Sequence, residues 1–158
     1  MDIEGKVIVI TGGASGLGQA TARYMVQEKG ARVALFDLNS EAGEATVAEI
    51  GEDVALFCQT DVTSEESIDS AIAATMEKFG AIHADINAAG IPLPCKILDR
   101  DGKASGLKKY AAVINVNLCG VFNVMAKCAE QMAKKAPDEI GDGGGVINMS
   151  GGGACGGG

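Results

Sequence analysis

The octapeptide TGGASGLG at positions 11–18 is the part of this chain whose residue types and spacing could do chemistry. It directly follows the apolar run KVIVI. Glycines at such a junction let backbone N–H groups approach a diphosphate, and a helix opening there adds partial positive charge. The pattern departs from G-x-G-x-x-G, because Thr21 stands at the third glycine position. Taken alone, a glycine-rich loop also fits plain turn chemistry; its place between a strand and a helix is what favours a nucleotide. The candidate contacts are Gly12, Ser15, Gly16, Leu17 and Gly18. Asp37 ends the next apolar run, 19 residues beyond Gly18. A carboxylate there can accept hydrogen bonds from both hydroxyls of an adenosine ribose, and it repels a 2′-phosphate. Neither Ser15 nor Leu38 offers a cation to hold that phosphate, so NAD is expected over NADP. The competing reading of Asp37 is a surface carboxylate that caps a turn.

Little else in the chain is equipped for catalysis. His83, the sole imidazole, lies early in a strand, away from the edge where ligands bind, and reads as a surface or edge residue. Five cysteines (Cys58, Cys95, Cys119, Cys128, Cys155) contain no C-x-x-C pair and no metal-ligand spacing. They read as small buried hydrophobes of a reducing compartment, and no metal is expected. Asp85 interrupts an apolar run at mid-strand. A buried, unpaired carboxylate costs several kcal/mol or takes up a proton, and the sequence shows no partner for it.

The elements that must position these residues follow from hydrophobic patterning. Segments 6–10, 31–37, 54–60, 81–89 and 145–150 read as strands, apolar enough to be covered on both faces as in a parallel sheet. Helices are expected from Gly16 to Gly30 and from Ser40 to Ile50. A third helix opens on a capping box of Thr63 and Glu66 and ends at Gly80, and a long fourth runs over 108–136 and halts at Pro137. The alternation implies right-handed crossovers and a Rossmann-like, doubly wound α/β fold in three layers. Residues 91–109 form a Pro/Gly-marked loop, of a length that is usually functional or disordered. With 158 residues, the chain has the size of one domain. Its net charge, 13 minus 21 or −8, disfavours nucleic acid and anionic membrane as partners. The N-terminus runs straight into a strand without a targeting signal, which makes the cytoplasm the default, with the mitochondrial matrix as the alternative.

Read together, these residues resemble the short-chain dehydrogenase/reductase family. T-G-x-x-x-G-x-G is matched from Thr11 to Gly18. Asp61 and Val62 follow the third strand, where the family contacts adenine. NAAG at 87–90 is similar to the family's N-N-A-G, which places Asn87, Ala88 and Gly90 beside the cofactor ribose. NVNLCGVF at 115–122 places Asn117 where the family has a structural and catalytic asparagine. Within the family, ITGGASGLG, DVTSE, VINVNLCGVFNV and the loop KILDRDGKASGLKK resemble the type II 3-hydroxyacyl-CoA dehydrogenases. The resemblance implies NAD-dependent oxidation of a secondary alcohol, typically the 3-hydroxyl of an acyl-CoA, by a homo-oligomer, with the 91–109 loop bordering the substrate.

The family's chemistry rests on a Tyr in Y-x-x-x-K, with a serine about 13 residues before it. Tyr24 and Tyr110 are the chain's two tyrosines, and Glu28 and Ile114 stand four residues on. At the fifth strand N-x-S-S reads NMSG, leaving Ser150 as the nearest hydroxyl beside Gly151. The glycine-rich run 151–158 stands where the Tyr–Lys helix should follow. The expectation is therefore an NAD-binding unit over 1–150 and a glycine tail, truncated before its catalytic pair and inactive as given. The alternatives are a non-catalytic NAD-binding module and a truncated product without function.

Overall fold

The computed structural model describes residues 2–92, 96–134 and 143–149. Five strands, β1 (Val7–Thr11), β2 (Arg32–Asp37), β3 (Ala55–Gln59), β4 (Ala84–Asn87) and β5 (Gly145–Asn148), form one sheet in the order β3-β2-β1-β4-β5. Every pairing is parallel, so each connection must cross over a face. Helices α1 (Gly16–Gln27), α2 (Ser40–Ile50) and α3 (Glu65–Phe79) make the first three crossovers. The last contains α4 (Leu107–Ile114), a π-helical segment (Asn115–Gly120) and α5 (Val121–Ala133).

Side chains alternate between the two faces of a strand, and here both faces are covered. Ile8, Ile10, Val33, Leu35 and Ile86 pack with Ala22, Met25 and Val47 of α1 and α2. Val9, Ala34 and Phe36 pack on the other side with Ile68 and Ile72 of α3 and with Val124, Cys128 and Met132 of α5. This double burial is why the strands read as continuous apolar runs. The doubly wound, three-layer α/β reading stands. Among the described residues β3 and β5 are the two edge strands, and Val146 and Ile147 on β5 are exposed.

Helix boundaries show where local chemistry overrode the pattern. Asn39 caps α2 by accepting a hydrogen bond from the Ala42 amide at 3.1 Å. The expected Thr63 cap of α3 is displaced by one residue. Ser64 is the N-cap and accepts from the Ser67 amide at 3.2 Å. Thr63 is drawn away because its amide and its hydroxyl both donate to Asp61 Oδ1, at 2.9 and 2.7 Å. At the other end Gly80, at φ +77°, closes α3.

The expected long helix over 108–136 is present as Leu107–Ala133, with a π-helical stretch at Asn115–Gly120 within it, and its approach to Pro137 lies outside the described residues. By length and composition Leu107–Ala133 could cross a membrane. In this fold, however, its residues Val124, Cys128 and Met132 are buried against the sheet. Part of the expected 91–109 loop is also ordered. Leu98 bridges Ala104 in antiparallel fashion, and Asp99 Oδ1 accepts from the amides of Asp101 and Lys103, both at 2.9 Å.

Removing the cap of α3 should cost stability at Ser64 rather than at Thr63. Ser64→Ala is expected to lower the unfolding free energy in urea by about 1 kcal/mol. Thr63→Ala leaves the Asp61–amide bond in place and should cost less; the reverse order would restore Thr63 as the cap.

Candidate nucleotide site

The carboxyl ends of β1 to β4 open onto one cleft of about 390 Å³. Its first wall is the turn from β1 into α1. Gly12 adopts φ +67°, and a Cβ there would stand 2.9 Å from the Ala89 nitrogen. Gly18 is tighter: its Cβ would lie 2.2 Å from the Gly12 carbonyl oxygen. Two glycines thus allow the first turn of α1 to close onto the end of β1. Ser15 occupies the N-cap position of α1 in extended conformation, without a side-chain cap bond, and the first turn holds no acidic residue. By contrast α2 and α3 carry side-chain caps and first-turn glutamates. The opening N–H groups of α1 therefore face the cleft without a protein side chain as acceptor, which suits an anion.

The second wall is the end of β2. Asp37 Oδ2 accepts from the Ala14 amide at 3.1 Å and Oδ1 from the Asn39 amide at 3.0 Å. These bonds fix the carboxylate against the glycine turn and leave lone pairs for further donors. Phe36 forms a buried floor, and Leu38 is exposed on the rim. Asp61 and Val62 close the far side after β3. The Asp61 carboxylate is engaged by Thr63, and its amide donates to Ser67 Oγ at 3.0 Å, while Val62 is buried.

The last wall follows β4. Ala88 and Gly90 line the cleft, together with Ala89 and Ile91. Thr11 Oγ1 accepts from the amides of Ala88 and Ala89, each at 3.1 Å, and so ties the end of β1 to the exit of β4. Asn87 does not line the cleft. It is buried, and its Nδ2 donates to Asp85 Oδ2 at 2.5 Å and to Asn148 Oδ1 at 3.0 Å. Asn117 lies in the π-helical segment, where its Oδ1 accepts from the Ile91 amide at 2.9 Å and its Nδ2 donates to the Ile91 carbonyl at 3.3 Å. It thereby clamps the chain leaving β4. Ser150, Gly151 and the glycine tail lie outside the described residues.

Ten of the eleven residues expected to contact a cofactor thus line one cleft, Asn87 being the one set behind it. Sequence reasoning gave no role to Thr11 as a tie, nor did it single out Phe36, Thr60 or Val116. Thr11 and Val116 lie inside identified motifs, and Phe36 and Thr60 stand next to Asp37 and Asp61; that proximity is the available signal.

A second groove, of about 450 Å³, runs between α3 and α5 past Cys119, Phe122 and Lys127. Its cation is already engaged, since Lys127 pairs with Asp69 at 2.5 Å. The groove also lies away from the glycine turn, whereas the smaller cleft holds the residues expected to contact a cofactor. His83 sits at the amino end of β4, where its Nδ1 accepts from the Val7 amide at 3.0 Å. The reading of the cysteines as buried needs correction: Cys128 is buried, but Cys58 is only partly so, and Cys119 is exposed where the π-helical segment turns it outward. Cys95 and Cys155 lie outside the described residues. Among the described residues no cluster of three potential metal ligands occurs.

Comparison with known proteins agrees with this architecture. Residues 6–155 match the family described as short chain dehydrogenase. The chain is 40% identical over 149 residues to the 3-hydroxyacyl-CoA dehydrogenase type-2 of Bos taurus, covering 94% of this chain and 56% of that protein. The protein of the same name from Homo sapiens gives the same identity and the same coverage of both chains, 40%, 94% and 56%. In the crystal structure of 3-hydroxyacyl-CoA dehydrogenase type-2 from Mycobacterium avium the same fold recurs, with a TM-score of 0.82 and 33% identity over 91% of this chain and 56% of that one. The chain therefore spans 56% of the length of these curated relatives. On the family match and these identities, the chain belongs to the short chain dehydrogenase family.

Proposed function

We propose that this chain forms the cofactor-binding part of an NAD-dependent oxidoreductase that acts on a secondary alcohol, with the conversion of 3-hydroxyacyl-CoA to 3-oxoacyl-CoA as the reaction of the whole protein. The carrying observation is the convergence, in one cleft, of an uncapped helix N-terminus, two glycines that exclude any Cβ, and a fixed carboxylate at Asp37. Dinucleotide chemistry fits this donor and acceptor set. The amides opening α1 are donors for a diphosphate, and Asp37 is an acceptor for ribose hydroxyls. Asp61 and the Val62 backbone stand where an adenine edge would be met. Ala88 and Gly90 supply a wall without bulk for the second ribose. When bound, the dinucleotide supplies the hydride acceptor for alcohol oxidation.

Asn117 has the role of a positioning residue in this reading. By holding both polar groups of Ile91, it sets the path of the chain past Gly90, where a Cβ would come within 3.4 Å of Asn117 Oδ1. The acyl-CoA substrate class is drawn from the relatives' names and from the resemblance of the 91–109 segment. Neither tyrosine of the sequence is followed four residues on by lysine. The general base expected of the family is therefore not among these 158 residues, and the chain as given should bind NAD without oxidising alcohols.

Titration calorimetry with NADH and NADPH tests the reading. NADH should bind more tightly than NADPH. Asp37→Ala should weaken NADH roughly 10- to 100-fold, the size of a lost charge-assisted bond, and should narrow the gap to NADPH. Equal affinity for the two cofactors, or an unchanged NADH affinity in the variant, would contradict the assignment. Gly18→Ala drives a methyl into the Gly12 carbonyl. It should lower stability by about 1–3 kcal/mol and abolish NADH binding. A Gly18→Ala protein that binds normally would show that the turn can open without loss. Incubation with NAD and a 3-hydroxyacyl-CoA should produce no NADH above background.

A further inference from the structure

We propose that α5 positions the turn after β3, with Asn123 and Gly120 as the positioning residues that aim the Val62 amide into the nucleotide cleft. The inference rests on the dinucleotide reading of that cleft and names the device that holds its adenine end. Val62 lines the cleft, and its side chain is buried in the same core as Val124, Cys128 and Met132 of α5.

From 60 to 64 the turn engages every amide but one. Thr60 donates to the Asp37 carbonyl at 2.8 Å and Ser64 to the Asp61 carbonyl at 3.0 Å. The Asp61 amide donates to Ser67 Oγ at 3.0 Å, and the Thr63 amide to Asp61 Oδ1 at 2.9 Å. Among the described residues the Val62 amide has no acceptor. Asp61 Oδ1 also accepts from the Thr63 hydroxyl at 2.7 Å, which leaves Oδ2 as the open acceptor. One open donor beside one open acceptor complements the edge of adenine, whose N1 accepts and whose N6 amino group donates.

Where that donor points is decided from α5. The bonds among Asp61, Thr63 and Ser64 keep the shape of the turn, yet they would move with it if it pivoted. Asn123 ties it from outside, its Nδ2 donating to the Val62 carbonyl at 3.2 Å. Gly120 is buried against the same residue: a Cβ there would stand 2.7 Å from Val62 Cγ2 and 3.4 Å from the Val62 carbonyl oxygen. Peptide planes are rigid, so holding the carbonyl on one side of Val62 and Asp61 on the other restricts the φ and ψ between them. α5 is itself anchored. One turn beyond Asn123, Lys127 pairs with Asp69 of α3 at 2.5 Å, and Ser64 at the end of the turn caps α3. Turn, α3 and α5 thus close a frame around Val62.

A role confined to stability would leave the choice of base untouched, and hypoxanthine separates the two roles. Its N1 carries a hydrogen and its C6 an oxygen. It therefore presents a donor to the Val62 amide and an acceptor to Asp61, the reverse of what the turn offers.

Calorimetry on the full 158-residue chain compares NADH with reduced nicotinamide hypoxanthine dinucleotide in the wild type, Asn123→Leu and Gly120→Ala. The wild type should prefer NADH roughly 100-fold, and each variant should keep at most about a tenth of that preference. Leucine approximates the shape of asparagine without its donor. Alanine at 120 favours the helix yet pushes Val62, so the two variants reach the amide by different routes. In the unliganded variants the amide resonances of Val62 and Thr63 should move, while those of Gly12 to Gly18 stay in place. Wild-type preference retained in either variant, or unmoved Val62 signals, would overturn the positioning role and leave the dinucleotide reading standing. Equal affinity of the wild type for the two dinucleotides would remove the adenine contact and this role with it. A folded wild type that binds no NADH would defeat the dinucleotide reading itself, and the role with it. Should Asn123→Leu fail to fold, Gly120→Ala carries the test.

Discussion

The geometry of the site depends on a contact that leaves no room for a side chain. α1 starts so close to the end of β1 that a methyl at Gly18 would stand 2.2 Å from the Gly12 oxygen, well inside van der Waals contact. That approach sets the direction in which the first amides of α1 point. It also brings Ala14 to the carboxylate of Asp37, so the turn after β1 and the end of β2 form one rigid corner. A second tie, from Thr11 to the amides following β4, extends the corner across the point where the strand order reverses. Open α/β sheets bind ligands at such a point because adjacent loops diverge there and leave a crevice.

The same sheet makes different demands on its two sides. Around β1 and β2 the core is apolar on both faces, and the turn after β1 leaves the N-terminus of α1 uncapped. On the β4–β5 side, polar side chains enter the interior and the last strand is only partly covered. Exposed apolar side chains occur on both sides, Leu17 and Leu38 beside the glycine turn and Ile147 and Met149 at β5.

How much of this could be read in advance follows from the range of the interactions. Strand positions were legible because double burial writes continuous apolar runs, and Gly80 marked the end of α3 because a left-handed cap favours glycine. The cap of α3 was misplaced by one residue, since two adjacent hydroxyls compete and only the position of Asp61 decides between them. The π-helical segment left no signal: its extra residue per turn changes neither composition nor the broad apolar stripe. The ordered hairpin at Leu98 and Ala104 could have been found, because DRDG carries the residues that turns select. Asp85 was visibly out of place, yet its partner was hidden. The NAAG motif places Asn87 toward a cofactor, and only the parallel register shows that it faces Asp85 and Asn148 instead.

The central claim is that the glycine corner and Asp37 together grip a dinucleotide. Backbone amide shifts recorded while the labelled protein is titrated with NADH test it residue by residue. The largest changes should fall on Gly12 to Gly18, on Asp37 and Leu38 and on Ala88 to Gly90, with Cys119 and Lys127 of the larger groove unmoved. Changes centred on that groove, or none at saturating NADH in a folded sample, would contradict the account.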